Sequence, residues 1–324
     1  MSPMPELPGD FLALSAGCGS DPLRVQGPGG NTSIKIGPIL WIKASGTELA
    51  DAMDKPIFVA VDHEIALAEA KGAGDGTCQA AIVDPQLGLR PSIETTFHAL
   101  IPWPVVAHTH SVAALVHAIS PQGITAAKEK LDGLPFAVVP YRKPGRPLTE
   151  AIAQLLTPET QVFILSNHGL IVAGDTMADV KALMDEVEHR LAMSVLLNSN
   201  RPDAPAPAGF VWSSGSVLAQ DGRLETLATT GSYYPDHVVF LGPALPTRPV
   251  EGAPAHLVSG HGLAVRHDST PAQKAMATCI ADVLTRLPKD WTPTPIGSSA
   301  EAELLNWDAE KYRQALAARQ GGPN

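Results

Sequence analysis

Val180, Leu183, Met184, Val187 and Leu191 recur every three or four residues. That spacing predicts one apolar face of a long helix running from Thr176 to about Asn198. Shorter apolar runs bounded by turn residues read as strands: Ile34–Ile36, Ile39–Lys43, Val105–His110, Phe136–Pro140, Val162–Leu165 and Leu170–Val172. The last two are expected to pair as a hairpin through Asn167-His168-Gly169, because Asn and Gly suit a tight turn. Further helices are predicted at Phe11–Gly17, Asp62–Lys71, Val112–Ile119 and Glu150–Leu156, and from the Pro91-Ser92 cap through Glu94, Phe97 and His98. Asp75–Asp84 shows no clear period.

Arg201–Gly209 alternates proline with small residues and reads as a stiff linker. It divides the chain into residues 1–200 and a C-terminal α/β extension, 201–324. Within the extension, His256–Val265 echoes Phe163–Val172, each followed by a helical pattern. A partial strand-turn-strand-helix repeat and a chance likeness both account for the echo.

Composition narrows the class. The 324 residues are 44% hydrophobic and 17% charged, the balance of an ordinary globular protein with length for a sizeable core. A formal net charge of −10 argues against nucleic acid or an anionic membrane as partner, but not against a small anionic substrate held by local cations. Cys18, Cys78 and Cys279 are widely spaced and suggest a reducing, cytoplasmic setting. No apolar run reaches the ~18 residues of a membrane helix, and no secretory signal is evident at the start.

Chemistry concentrates in a few places. In Val106-Ala107-His108-Thr109-His110 the two histidines share one face of a strand, since strand side chains alternate. His168, at the end of another strand, could complete a three-imidazole face suited to a zinc-like divalent metal with one position open. Packed, hydrogen-bonded core histidines are the plainer reading. Glu94 reads either as an acid favoured in the first turn of a helix or as a fourth ligand that becomes a base once substrate displaces it. His98, four residues on, reads as core or as a support behind the site. Gly27–Ser33, Lys43–Thr47 and Ser92 offer small-residue backbone donors for a phosphate or carboxylate, though each taken alone is as well explained as a turn. The glycine spacing matches neither a dinucleotide fingerprint nor a nucleotide-phosphate loop.

Taken in order, Asp21–Lys35, Ile42–Gly46, Pro91-Ser92-Ile93-Glu94, His108-Thr109-His110 and Asn167-His168-Gly169-Leu170 resemble the class II aldolase/adducin family, which includes fuculose- and rhamnulose-phosphate aldolases. The resemblance spans roughly residues 10 to 200. It implies a three-layer α/β/α sandwich around a mostly antiparallel sheet, assembled as a homo-oligomer, commonly a tetramer. It implies His108, His110 and His168 as ligands of Zn2+, with Mn2+ or Co2+ as alternatives, and Glu94 as both ligand and catalytic carboxylate. Gly30, Asn31, Ser45, Gly46 and Ser92 match substrate-phosphate positions. Ile93 departs from the family's Pro-Ser-Ser-Glu and removes a hydroxyl. Tyr141, Tyr233 and Tyr234 are candidates for the family's tyrosine proton donor, and Lys35, Lys43 and Arg142 for holding a distal anion.

The implied activity is metal-dependent carbon–carbon cleavage of a phosphorylated or acidic hydroxy-ketone or sugar through an enediolate. Decarboxylation or epimerisation at the same site is the alternative, and an adducin-like scaffold is a rival from another class. Tyr233–His237 and Leu304-Leu305-Asn306-Trp307 resemble the aldolase-like half of proteins fused to a short-chain dehydrogenase. On that reading the chain is a free-standing version, and a separate dehydrogenase is a conceivable partner. The turns at Asp236-His237 and Gly260-His261-Gly262 are expected to pack rather than to close an active site.

Overall fold

In the computed structural model of the protein, which describes residues 5–320, seven strands form the main sheet. They are β1 (Asn31–Ile36), β2 (Ile39–Lys43), β3 (Phe58–Asp62), β4 (Val105–Thr109), β5 (Phe136–Val139), β6 (Val162–Leu165) and β7 (Gly169–Gly174). Their order is β3-β2-β1-β4-β7-β6-β5, and every neighbouring pair is antiparallel except β5 with β6. The helices of this half are α1 (Gly9–Ser20), α2 (His63–Ala70), α3 (Thr95–Leu100), α4 (Val112–Ala118), α5 (Pro121–Lys130), α6 (Arg146–Ala153) and α7 (Met177–Leu191).

Alternation along β4 sorts its side chains between two cores. Val105 and Ala107 join Val162, Ile164 and Leu170 beneath α1, α4, α5 and α7. Val106 joins Phe163, Leu165 and Ile171 beneath α3 and α6, and Leu40, Ile42, Val59 and Val61 lie beneath α2. The result is the expected three-layer α/β/α sandwich.

In the C-terminal part, β8 (Phe210–Trp212), β9 (Ala255–Val258) and β10 (Gly262–Arg266) make an antiparallel sheet in the order β8-β10-β9. Its helices are α8 (Gly222–Thr230), α9 (Pro235–Leu241), α10 (Pro271–Arg286), α11 (Ser298–Leu305) and α12 (Asp308–Gln320). Its apolar core includes Leu115, Val116 and Ile119 at α4, so α4 serves both halves. The two echoing segments fold alike. Leu165 pairs with Gly169 and Val258 with Gly262, and each hairpin leads to a helix closed by a capping box, at Thr176 and at Thr270.

Several boundaries differ from the pattern. The helix expected to reach Asn198 ends at Leu191, and Met193 and Leu197 beyond it, which fall off its apolar stripe, pack on the C-terminal core. α1 continues past Gly17 to Ser20, and Gly19 serves close packing: a Cβ there would sit 2.1 Å from the backbone nitrogen of Ala50. α6 starts at Arg146 and not at Glu150, with a proline in its first turn where the missing N–H costs nothing. β3 was not anticipated, since four of its five residues are buried and no alternation shows. α5 was also missed, because only Gly123 and Ala127 of its length are buried.

Candidate metal centre

His108 projects from the face of β4 that lies beneath α3, His110 follows just past the end of that strand, and His168 sits in the β6–β7 turn. That turn is fixed from both sides. Asn167 takes a left-handed φ of 54° and its side-chain amide donates to the carbonyls of Tyr233 and Thr294. A Cβ on Gly169 would lie 2.4 Å from the carbonyl oxygen of Thr109, so a side chain there would push β7 off β4. The three imidazoles are buried and each offers a ligand nitrogen within 4.8 Å of the others.

Glu94 is not inside the first turn of α3, as the pattern suggested, but at its N-cap position, and its carboxylate caps no backbone N–H. It turns toward the histidines instead. Its Oε2 is 3.5 Å from His108 Nε2 and its Oε1 is 3.5 Å from His168 Nε2. These approaches are not ion pairs, because the imidazoles are neutral. Burial pushes His108 down to about 4, against the opposing pull of Glu94, and holds His168 well below the ordinary histidine range. Neutral imidazole is the form that ligates a metal. His108 donates its Nδ1 proton to the Leu170 carbonyl at 3.0 Å, which leaves the Nε2 lone pair facing Glu94. His108 Nε2 and Glu94 Oε1 are both buried without a hydrogen-bond partner. Such orphaned atoms are costly. A divalent cation among the four side chains satisfies them, so the donor set fits one.

A polar chain supports Glu94 from behind. Ser33 Oγ lies 2.7 Å from His98 Nδ1, His98 Nε2 meets Asn31 Oδ1, and Asn31 Nδ2 donates to Glu94 Oε2 at 2.9 Å and to Ser92 Oγ at 3.2 Å. Burial holds His98 well below the usual range. The neutral ring therefore accepts from Ser33 and donates to Asn31, which orients the amide nitrogen at the carboxylate.

The candidate metal ligands and the candidate phosphate positions converge. Gly30, Asn31, Ser45, Gly46 and Ser92 line one cavity of about 30 Å³ with Glu94, His110 and His168, and His108 stands behind. Gly30 takes a φ of 59°, and a Cβ on it would come within 2.7 Å of the His108 carbonyl. Lys43 also lines the cavity, with Nζ donating to the carbonyls of Pro28 and Thr47; burial, reinforced by Arg313, lowers it to about 7. Lys35 and Arg142 do not line it: Lys35 donates to the Trp103 carbonyl and Arg142 to that of Tyr141. The tyrosines stay outside too. Tyr233 donates to the Leu227 carbonyl, Tyr234 to Cys279 Sγ, and Tyr141 is absent from the wall.

Sequence reasoning missed the contribution of the extension. Asp236 lies not in a packing turn but in the first turn of α9, and its Oδ2 is 3.1 Å from His110 Nδ1. Arg313 on α12 grips the same carboxylate through a forked contact and also pairs with Glu310 at 3.2 Å. Burial alone would raise the Asp236 carboxyl, but Arg313 and then His110 outweigh it and hold the group far below the carboxylate range. Glu310, also buried, is raised. The run Tyr233–His237 was visible in the sequence, but nothing local marked Asp236 as reaching a histidine 126 positions earlier. His261, the counterpart of His168 in the echo, is exposed.

The family profile described as "Class II Aldolase and Adducin N-terminal domain" matches residues 24–195. A curated relative, "Uncharacterized oxidoreductase YuxG" of Bacillus subtilis (strain 168), is 31% identical over 178 residues, 49% of this chain and 25% of that protein. The chain thus spans about a quarter of the length of the curated relative it matches. Among solved structures, the N-terminal class II aldolase domain of a conserved protein from Thermoplasma acidophilum superposes with a TM-score of 0.51 at 25% identity, over 59% of this chain and 95% of that one. An L-fuculose-1-phosphate aldolase from Thermus thermophilus superposes more loosely, with a TM-score of 0.38 at 16% identity, over 56% of this chain and 92% of that one.

Proposed function

The chain belongs to the class II aldolase and adducin family, and from that premise we propose that it is a metal-dependent carbon–carbon lyase acting on a phosphorylated or acidic hydroxy-ketone. The observation that carries the reading is the set His108, His110, His168 and Glu94: the carboxylate lies 3.5 Å from both His108 Nε2 and His168 Nε2, and His108 Nε2 and Glu94 Oε1 are buried without a hydrogen-bond partner. A scaffold protein gains nothing from leaving those atoms unsatisfied. In this reading residues 1–200 supply the catalytic set, and 201–324 supply Asp236 and its brace.

When bound, a divalent cation, Zn2+ by its ligand set with Mn2+ and Co2+ as alternatives, supplies Lewis acidity toward a ketone and its neighbouring hydroxyl. The protein's own groups do the rest. Glu94, held at 2.9 Å by Asn31, takes the hydroxyl proton as the carbon–carbon bond breaks and is placed to return a proton to carbon. Ser33 and His98 keep Asn31 oriented for that task. Ser45, Ser92 and the backbone at Gly30 and Gly46 offer polar groups along the wall.

The test is aldehyde release by metal-loaded protein from a panel of ketose 1-phosphates and acidic keto-sugars. Release that stops on chelation and returns with zinc, manganese or cobalt is expected. Carbon dioxide release or epimer formation without aldehyde would replace cleavage with another reaction, and no turnover of any member by metal-loaded protein would sink the lyase reading.

In the same reading Asp236 is a positioning residue for His110. A carboxylate on the distal nitrogen of a metal-binding imidazole fixes its orientation and raises its basicity. Asp236→Asn is therefore expected to weaken metal affinity roughly 10–100-fold, measured by competition with a chromophoric chelator. Unchanged affinity would leave Asp236 with only its Arg313 contact.

A further inference from the structure

The inner cavity beside Glu94 and the histidines leaves about 30 Å³, while a second cavity that shares Ser45, Ile93 and Pro144 with it leaves about 210 Å³. A water-sized group needs at least ~10–15 Å³ measured this way. The inner cavity therefore takes about two such groups, enough for a ketone oxygen and an adjacent hydroxyl. The larger space beside it, about 210 Å³, is where the rest of a hydroxy-ketone has room. α12 stands between the two, with Glu310 and Arg313 on the inner wall and Ala309 and Tyr312 on the outer.

The outer cavity is basic and aromatic. Arg90, Lys143 and Arg146 line it together with Trp307 and Tyr312. Arg146 is already paired with Glu150 at 3.0 Å. Arg90 and Lys143 are not paired with any carboxylate among the described residues. Each lies instead over an aromatic ring: Arg90 is 4.2 Å from the centre of Tyr312 and Lys143 is 4.5 Å from that of Trp307. Cation–π contact orients a cation without neutralising it, and its faces away from the ring stay open to an anion. Asp75, the acid on this wall, is committed to Thr77 through both its N–H and its hydroxyl. Ile93 at the shared neck is apolar, and the inner cations are already engaged, Lys43 by the Pro28 and Thr47 carbonyls and Arg313 by Asp236 and Glu310, so the cations open to an anion stand on the outer wall.

We propose that Arg90 and Lys143 form the subsite for the anionic far end of the substrate, a carboxylate or phosphate, while the reacting end occupies the inner cavity. The inference rests on the reading of the inner site as a centre that binds a ketone and its neighbouring hydroxyl. It makes the substrate a molecule whose charge lies several bonds from the bond that breaks. It also makes α12 a specificity element, since Tyr312 sets where Arg90 points.

The experiment is calorimetric titration of inorganic phosphate, and separately malonate, into the 324-residue protein loaded with metal, except for the His108 variant, which is titrated without it. Wild type is compared with three variants: Arg90→Gln/Lys143→Gln, Asn31→Ala/Ser92→Ala, and His108→Ala. The first variant should bind anion at least about tenfold more weakly with unchanged metal content, because two charge-assisted contacts are gone. The other two should keep wild-type anion affinity. The stronger of the two probes identifies the terminal group as phosphate or carboxylate. Three results overturn the proposal: no binding by wild type, binding lost only in the inner or His108 variants, or an outer variant that melts earlier yet binds anion as before. The last would reduce the two cations to pins for α11 and α12. Because the readout is anion binding, it stands apart from turnover, so failure of the lyase reading and failure of the subsite show up in different measurements.

Discussion

Glu94→Gln is expected to lower turnover by roughly 10²–10⁴-fold, the usual worth of a positioned general base, while metal stays bound. The substitution is nearly isosteric. A glutamine carbonyl can still accept from Asn31 Nδ2, where Glu94 Oε2 now accepts at 2.9 Å. The three imidazoles, each buried and each with its ligand nitrogen in place, remain to hold the ion. What is lost is the ability to take and return a proton. Steady-state rates on the best substrate from the ketose panel, with metal content measured on the same preparation, separate the two roles given to this residue. Full activity in the variant would remove it as the base. Loss of metal alongside activity would make it chiefly a ligand. Asn31→Ala supplies a graded comparison, since it removes the donor that aims the carboxylate but leaves the carboxylate itself, and should cost less than Glu94→Gln.

What the sequence made legible follows from how local each signal is. Strand alternation is a two-residue property, so His108 and His110 could be placed on one face before any fold was known; β4 ends at Thr109, one residue short of His110, yet the two imidazoles still meet. Burial of a strand on both faces erases the same signal, which is why β3 went unread. The long apolar stripe from Val180 onward was real as far as Leu191. Past that point the apolar residues Met193 and Leu197 fall off the stripe and serve a different core, which the pattern alone does not assign. Glu94 was recognisable by type and neighbours, but its place just before α3 is a matter of one residue's backbone, φ −106° and ψ 8°, and it decides whether the carboxylate caps a helix or faces a metal. Asp236 and Arg313 show the limit most sharply. Their contact joins α9 to α12 across 77 positions and then reaches His110. α4, which carries one face of each half, and the Asn167 contacts to Tyr233 and Thr294 seat the extension against the site.

His108→Ala should abolish stoichiometric metal binding while the chain stays folded, and this is the largest single effect expected of any substitution at the site. His108 is fully buried, and its Nε2 is the lone pair that meets Glu94. Alanine removes one of three imidazoles and leaves Glu94 Oε2 with Asn31 alone. The structural cost is real but bounded. The Leu170 carbonyl loses its donor and the edge contact of the ring with Phe97 disappears, together on the order of 1–3 kcal/mol. The sheet around it keeps the pairing of β4 with β1 and β7. Metal content of protein purified without added metal, read beside thermal midpoints with and without added zinc, tells ligation from collapse. Wild type should carry metal and gain stability from more of it by mass action, whereas the variant should gain nothing at the same free concentration. A variant that melts near the metal-free wild type and fails to respond to zinc, manganese or cobalt fixes His108 as a ligand. If wild type itself contains no metal and shows no shift with any of the three ions, the three histidines are a packed core feature, and the lyase reading falls with them.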